Sequence, residues 1–136
     1  MKIISVITAR GGSKGVPRKN IVDIKGKPLI WYAINASQKS NVNETWVSTE
    51  DKEIKQISKS FGANVIDRPK ELADDIIMPD AALLHAASEI DFDLLVFIQP
   101  CAVFIKPKII NAVIKKITEE NFDSSFAVVR ESWMPT

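Results

Sequence analysis

Apolar and polar positions along the chain alternate between two periods. Residues 3–8 (IISVIT) and 93–99 (DLLVFIQ) are short, almost continuous apolar runs, as expected of strands covered on both faces. Residues 44–49 (ETWVST), 63–66 (ANVI) and 124–129 (SSFAVV) predict three further strands. Between these runs the spacing becomes helical. Leu29, Ile30, Ala33, Ile34 and Ser37 predict a helix over 28–39, with Pro28 in its first turn and a break at 41–43. Thr49, Glu50 and Asp51 supply a cap and negative charge for a helix reaching Phe61. Its apolar stripe is Ile54, Ile57 and Phe61, and Gly62 stops it. Residues 70–78 read as a loop. Pro79 opens a helix with Leu83, Leu84 and Ala87 on one face. Pro107 opens another through 120, with Ile109, Ile110, Val113, Ile114 and Ile117 apolar.

Strands alternating with helices imply βαβ units, a parallel sheet and right-handed crossovers. The two fully apolar strands, 3–8 and 93–99, are expected side by side at the sheet centre. Ligands of such sheets sit at the carboxyl ends of the strands, where the strand order reverses. The loop after residue 8 and the Gln99-Pro100 corner should therefore face each other across one crevice. No repeat or linker divides the chain, so 1–136 reads as one domain.

Composition narrows the ligand. The chain is 46% hydrophobic and 26% charged with a formal net charge of +1, which gives no broad field for nucleic acid or an anionic membrane. Residues 10–20 nevertheless hold Arg10, Lys14, Arg18 and Lys19 with no acid among them. A local cationic cluster on a neutral protein points to a small anion rather than a long polyanion. No apolar run approaches a membrane span, and no signal-peptide pattern precedes the first strand. The single cysteine excludes an internal disulfide, and a cytoplasmic location is expected.

The cationic stretch also contains Gly11, Gly12 and Gly15. A strand opening into a glycine-rich, cation-rich loop lets backbone amides approach a polyphosphate where no Cβ stands in the way. Neither familiar phosphate motif fits. Gly15 is followed by Val16 and Pro17, not by Lys and Ser or Thr, so this is not a P-loop. The glycine spacing is also wrong for the dinucleotide fingerprint, and no helix can start directly beneath the anion. Loop amides and side-chain cations must act together here.

Taken as ARGGSKGVPRKN, residues 9–20 resemble the signature of the acylneuraminate cytidylyltransferases (CMP-sialic acid synthetases), including the legionaminate and pseudaminate enzymes. Gly26-Lys27-Pro28-Leu29-Ile30 and Val47-Ser48-Thr49-Glu50-Asp51 resemble two further family motifs. So do Arg68-Pro69 with Glu71-Leu72-Ala73 and Asp75, and Gln99-Pro100. The resemblance implies a three-layer α/β/α Rossmann-like nucleotide-diphospho-sugar transferase fold with a mostly parallel sheet, shortened at its C-terminal end. It implies a reaction in which a nine-carbon keto-sugar acid attacks the α-phosphorus of CTP and pyrophosphate leaves. By resemblance Arg10 and Lys19 are the catalytic candidates. Ala9, Arg10, Gly11, Gly12, Ser13, Lys14, Arg18, Lys19, Asn20, Arg68 and Gln99 would line the nucleotide site. The family also implies Mg²⁺, held by an aspartate pair expected beyond Thr136, and a homodimer.

The chain departs from the family after Gln99-Pro100, where Cys101-Ala102-Val103 replaces Thr-Ser-Pro, and near Met78-Pro79, where a pocket serine is missing. Two other functions therefore stand beside the enzyme: a nucleotide-binding remnant without turnover, and half of a split enzyme. Asp74 and Asp75 read as solvated loop acids, Asp80 as a helix cap, His85 as a packing or surface residue, and Cys101 as a small buried hydrophobe. Trp31, Trp46 and Trp133 read as packing residues.

Overall fold

A computed structural model describes residues 1–12, 18–70, 79–100 and 103–120, with the side chains of residues 79 and 80 outside the description. Two expectations, the strand at 124–129 and the loop acids Asp74 and Asp75, lie outside the described residues. So do Ser13, Lys14, Cys101 and Trp133.

The apolar run Ile3–Thr8 forms β1, and it pairs in parallel on both sides. One neighbour is β4 (Glu44–Thr49) and the other is β6 (Leu94–Ile98). β5 (Asn64–Asp67) adds to the far side of β4, giving the order β5-β4-β1-β6. The predicted adjacency of 3–8 and 93–99 is therefore present. Among the described residues, however, β6 lies at a sheet edge rather than at its centre, and its Phe97 is partly exposed. Continuous hydrophobicity specified cover on two faces; it could not specify a hydrogen-bonding neighbour on each side.

Helices cover both faces, making three layers. α1 (Leu29–Gln38), α2 (Lys52–Ser60) and α4 (Pro107–Glu120) meet the face that carries Ile7, Ala9, Val47 and Ile98. Ile30, Ala33, Ile34, Ile54, Ile110 and Ile114 complete that core. α3 (Pro79–Glu89) meets the opposite face at Ile4, Val6 and Ile66. Each fully buried aliphatic side chain contributes ~1.5–3 kcal/mol, so the larger core fixes where three helices lie.

The expected face of α3 holds in part: Leu83 packs against this core, but Leu84 does not. Ala82, Ala86 and Ile90 are buried, whereas Leu84 is 70% exposed. Small residues at helical spacing let the helix approach the strand closely, and that close fit outweighed the larger side chain of Leu84. None of the described helices is long and apolar enough to cross a membrane.

The start of α1 also differs from the sequence reading. Asp23–Ile24 (β2) and Lys27–Pro28 (β3) form a small antiparallel hairpin across Lys25 and Gly26. Both turn residues have positive φ, 52° and 89°, the pairing required by a tight two-residue hairpin. Pro28 is the residue before the helix, with extended backbone, and Leu29 N–H donates to Val22 O at 2.9 Å.

Candidate functional site

The carboxyl ends of all four strands lie along one edge of the sheet. Ile7 is in register with Ile98, so β1 leads into Ala9-Arg10-Gly11 beside the Gln99-Pro100 corner. β1 and β6 are neighbours in the sheet but far apart in sequence, and the strand order reverses between β1 and β6. Ala9 N–H donates to Ser48 O at 2.9 Å, which carries the β1–β4 pairing one step past the end of β1. Arg68 N–H donates to Thr49 O at 3.1 Å and does the same for β5. The expected crevice position is thus where the fold collects its strand ends.

The loop after β1 is closed by its own residues. Arg18 has left-handed backbone (φ 58°, ψ 34°), and its carbonyl accepts the Ile21 N–H to start a 3-10 turn over Lys19–Ile21. Asn20 is buried in that turn, and its Nδ2 donates to Arg10 O at 2.8 Å. This bond fastens residue 20 to residue 10. Lys19 is exposed and makes no ion pair among the described residues.

Acids from the turn after β4 stand directly behind the loop. The Gly11 N–H donates to Glu50 Oε1 at 2.5 Å, and Arg68 Nε donates to Glu50 Oε2 at 3.0 Å. The Arg68 side chain is only 4% exposed, so Glu50 neutralises a nearly desolvated guanidinium while holding a loop amide. Asp51 caps α2, its Oδ1 accepting the N–H groups of Glu53 and Ile54 at 3.0 and 2.9 Å. Both Asp51 oxygens also accept from Arg18, and Arg18 Nη2 donates to Glu53 Oε2 at 2.9 Å. The hydrogen bonds from Arg18 hold the Asp51 carboxyl down, from its ordinary 3.8 to about 2, against the opposing effect of burial. The same contact raises the Arg18 pKa above its ordinary value.

Gly11 is required by this arrangement. A Cβ there would lie 2.5 Å from Asp51 Oδ2 and 2.9 Å from Asp51 Cβ. A Cβ at Gly12 would meet nothing within 4 Å.

Arg10, Gly11, Arg18, Lys19, Asn20, Arg68 and Gln99 are therefore brought to one sheet edge. The loop's Ser13 and Lys14 are outside the described residues. Sequence reasoning missed Glu50 and Glu53 as partners, and saw Asp51 only as a cap. A signal was available: a cationic stretch without acids, followed in the next βα turn by three acids within four residues, is a complementary pair. His85 sits on the other face of the sheet with α3. Its Nδ1 is buried without a partner among the described residues, and its Nε2 lies 4.0 Å from Glu89.

Residues 4–133 match the family model described as cytidylyltransferase. The chain is 38% identical over 130 residues to N-acylneuraminate cytidylyltransferase A of Danio rerio, covering 94% of this chain and 30% of that protein. It is 36% identical over 124 residues to a pseudaminic acid cytidylyltransferase of Campylobacter jejuni, covering 90% of this chain and 53% of the relative. It is also 36% identical over 143 residues to the CMP-N,N'-diacetyllegionaminic acid synthase of Legionella pneumophila, covering 98% and 62%. Among solved structures, a CMP:2-keto-3-deoxy-manno-octonic acid synthetase complexed with CTP superposes with a TM-score of 0.81 at 25% identity. That superposition covers 89% of this chain and 49% of the synthetase. The chain spans between 30% and 62% of the length of these relatives.

Proposed function

The chain belongs to the cytidylyltransferase family, and we propose that it forms the CTP site of an enzyme that transfers CMP to a sialic-acid-like nine-carbon keto-sugar acid. The observation that carries this reading is that β1, which opens into the glycine-rich cationic stretch, lies beside β6, which leads to Gln99, at the point where the strand order reverses. In the transfer, the anomeric hydroxyl oxygen of the acceptor bonds to the α-phosphorus of CTP. The bond from that phosphorus to the bridging oxygen breaks, and pyrophosphate leaves with the oxygen. The hydroxyl proton passes to solvent. Such a step requires in-line positioning and charge neutralisation rather than covalent help from the protein. Arg10 and Lys19 would meet the triphosphate, loop amides would supplement them, and Asn20 would keep the two cations at a fixed separation through its bond to Arg10 O. Gln99 would face the nucleoside, and Arg68, buried against Glu50, would support the loop from behind.

Mg²⁺ is the cofactor this chemistry would call for. Among the described residues no group of three His, Cys, Asp or Glu could hold a metal ion. The acids nearest the loop are engaged by Gly11, Arg18 and Arg68. These residues do not fit Mg²⁺. That same engagement favours a second reading, in which this chain binds CTP without turning it over.

Calorimetric titration with CTP, followed by a pyrophosphate-release assay with CTP, Mg²⁺ and N-acetylneuraminate, separates the two. Binding with release supports the transferase. Binding without release supports the second reading, and absence of CTP binding removes both.

A further inference from the structure

We infer that Arg18 is a positioning residue that locks the cationic loop to the start of α2, rather than a ligand of the nucleotide's phosphates. The inference rests on the CTP site proposed above.

Three of the five N–H donors of its guanidinium are engaged on the protein side. Two nitrogens grip both oxygens of Asp51, and one of them also donates to Glu53. The fork is met by a carboxylate that cannot swing away, because Asp51 Oδ1 is fixed by two backbone N–H groups of α2. Asp51 is also hemmed in by Gly11, where even a Cβ would collide with it. The carboxylate is thus wedged between the beginning of the loop and its end.

The consequence for the site is geometric. The Arg18 carbonyl starts the 3-10 turn that carries Lys19 and Asn20, and Asn20 bonds back to Arg10 O. Holding Arg18 against α2 therefore sets where Lys19 stands relative to Arg10, the two cations assigned to the triphosphate. The consequence for charge is equally direct. Arg18, Asp51 and Glu53 together carry one net negative charge, so this trio offers an incoming triphosphate no attraction. A loop residue that binds phosphate directly would need its guanidinium turned the other way.

The test is a double-mutant cycle on CTP affinity, measured by calorimetry on the full chain. The variants are Arg18→Leu, Asp51→Asn and the two combined, with circular dichroism confirming that each is folded. Asn at 51 keeps a cap acceptor, so helix α2 retains its start. A shared anchor predicts that each single change weakens CTP binding on the order of 5-fold, and that the double variant is no weaker than either, as expected of coupled neighbours. Arg18→Lys, which keeps one arm to Asp51, should recover part of the loss.

A phosphate ligand predicts the reverse sign at one corner. Asp51→Asn would release the guanidinium and strengthen binding, and that result overturns the anchor alone. Unchanged affinity in both single variants, with a lowered melting temperature, would reduce Arg18 to a stabilising contact and overturn it too. Failure of the unsubstituted chain to bind CTP would overturn the proposed site, and the anchor with it.

Discussion

The loop after β1 and the turn after β4 leave the sheet side by side with opposite charge. The first carries cations and glycines without an acid between residues 10 and 20; the second carries Glu50, Asp51 and Glu53. Read separately, one is an anion cradle and the other a helix start. In the fold they are one device. Glu50 holds a loop amide and Arg68, while Asp51 holds Arg18 and the first turn of α2. The difference between them is division of labour: acids of the second region engage Arg18 and Arg68, whereas Lys19 stands exposed with no ion pair among the described residues. Counting cations in a loop therefore overstates what an anion would meet.

The largest effect expected from breaking this arrangement comes from its most buried pair. Glu50→Ala leaves the Arg68 guanidinium with little solvent and no carboxylate, and removes the acceptor of the Gly11 N–H. Loss of one partner of a buried pair costs ~3 kcal/mol or more. Urea denaturation should show the midpoint fall with the slope unchanged. A loss below ~1 kcal/mol would mean that water takes over from Glu50, as at an exposed pair.

Arg10→Ala addresses the other region. If Arg10 meets the triphosphate, CTP affinity should fall by more than ~1.5 kcal/mol, or about tenfold, the worth of a charge-assisted hydrogen bond. Calorimetry giving an unchanged affinity would take Arg10 out of the site. The contrast between the regions then becomes measurable: Glu50→Ala should act chiefly on unfolding, and Arg10→Ala chiefly on binding.

Asp51 links the two and gives a pH dependence of known sign. Its carboxyl titrates at about 2 in the folded chain against an ordinary 3.8. A depressed carboxylate contributes stability that is complete above the unfolded value and is lost as pH falls through the folded one. The window therefore runs from pH 3.8 down to about 2. The Asp51 side chain is 17% exposed but Arg18 is 39% exposed, so solvent screening limits the contribution to about 1–2 kcal/mol. Asp51→Asn keeps the cap and removes the charge. Its unfolding free energy should be lower near neutral pH and should fall less steeply below pH 3.8 than that of the unsubstituted chain. Parallel curves would show that the Arg18 contact contributes nothing to folding.

The frame of the molecule was legible because it follows from period and run length. The continuous apolar runs at 3–8 and 93–99 became adjacent strands, and the Thr49-Glu50-Asp51 sequence became a helix start with Asp51 as its cap. The location of the crevice followed from parallel topology alone. What could not be read was partner choice. The burial of Ala82 and Ala86 in place of Leu84 depends on how closely α3 approaches the sheet, which no helical wheel contains. The β2–β3 hairpin flanks the Lys25-Gly26 turn with strands of two residues each, too short to leave a period in the sequence. The acids behind the loop are 32 or more residues from Arg18 in sequence. Nothing local to either segment announces that they meet.

Glu53 sets the lower limit of the comparison. It accepts from the same Arg18 nitrogen that reaches Asp51, at 2.9 Å, but its side chain is 60% exposed. Asp51 has backbone donors to fix it and Gly11 to confine it, whereas no such restraint is visible at Glu53. An exposed, singly bonded pair contributes ~0.2–1 kcal/mol, and less as salt is added. Glu53→Gln should therefore change the unfolding free energy by no more than ~0.5 kcal/mol, a difference that shrinks towards zero at high salt. If the loss instead matched that of Asp51→Asn and persisted in salt, the two carboxylates would be acting as one site. The grip on Arg18 would then belong to the whole turn after β4 rather than to the residue wedged against Gly11.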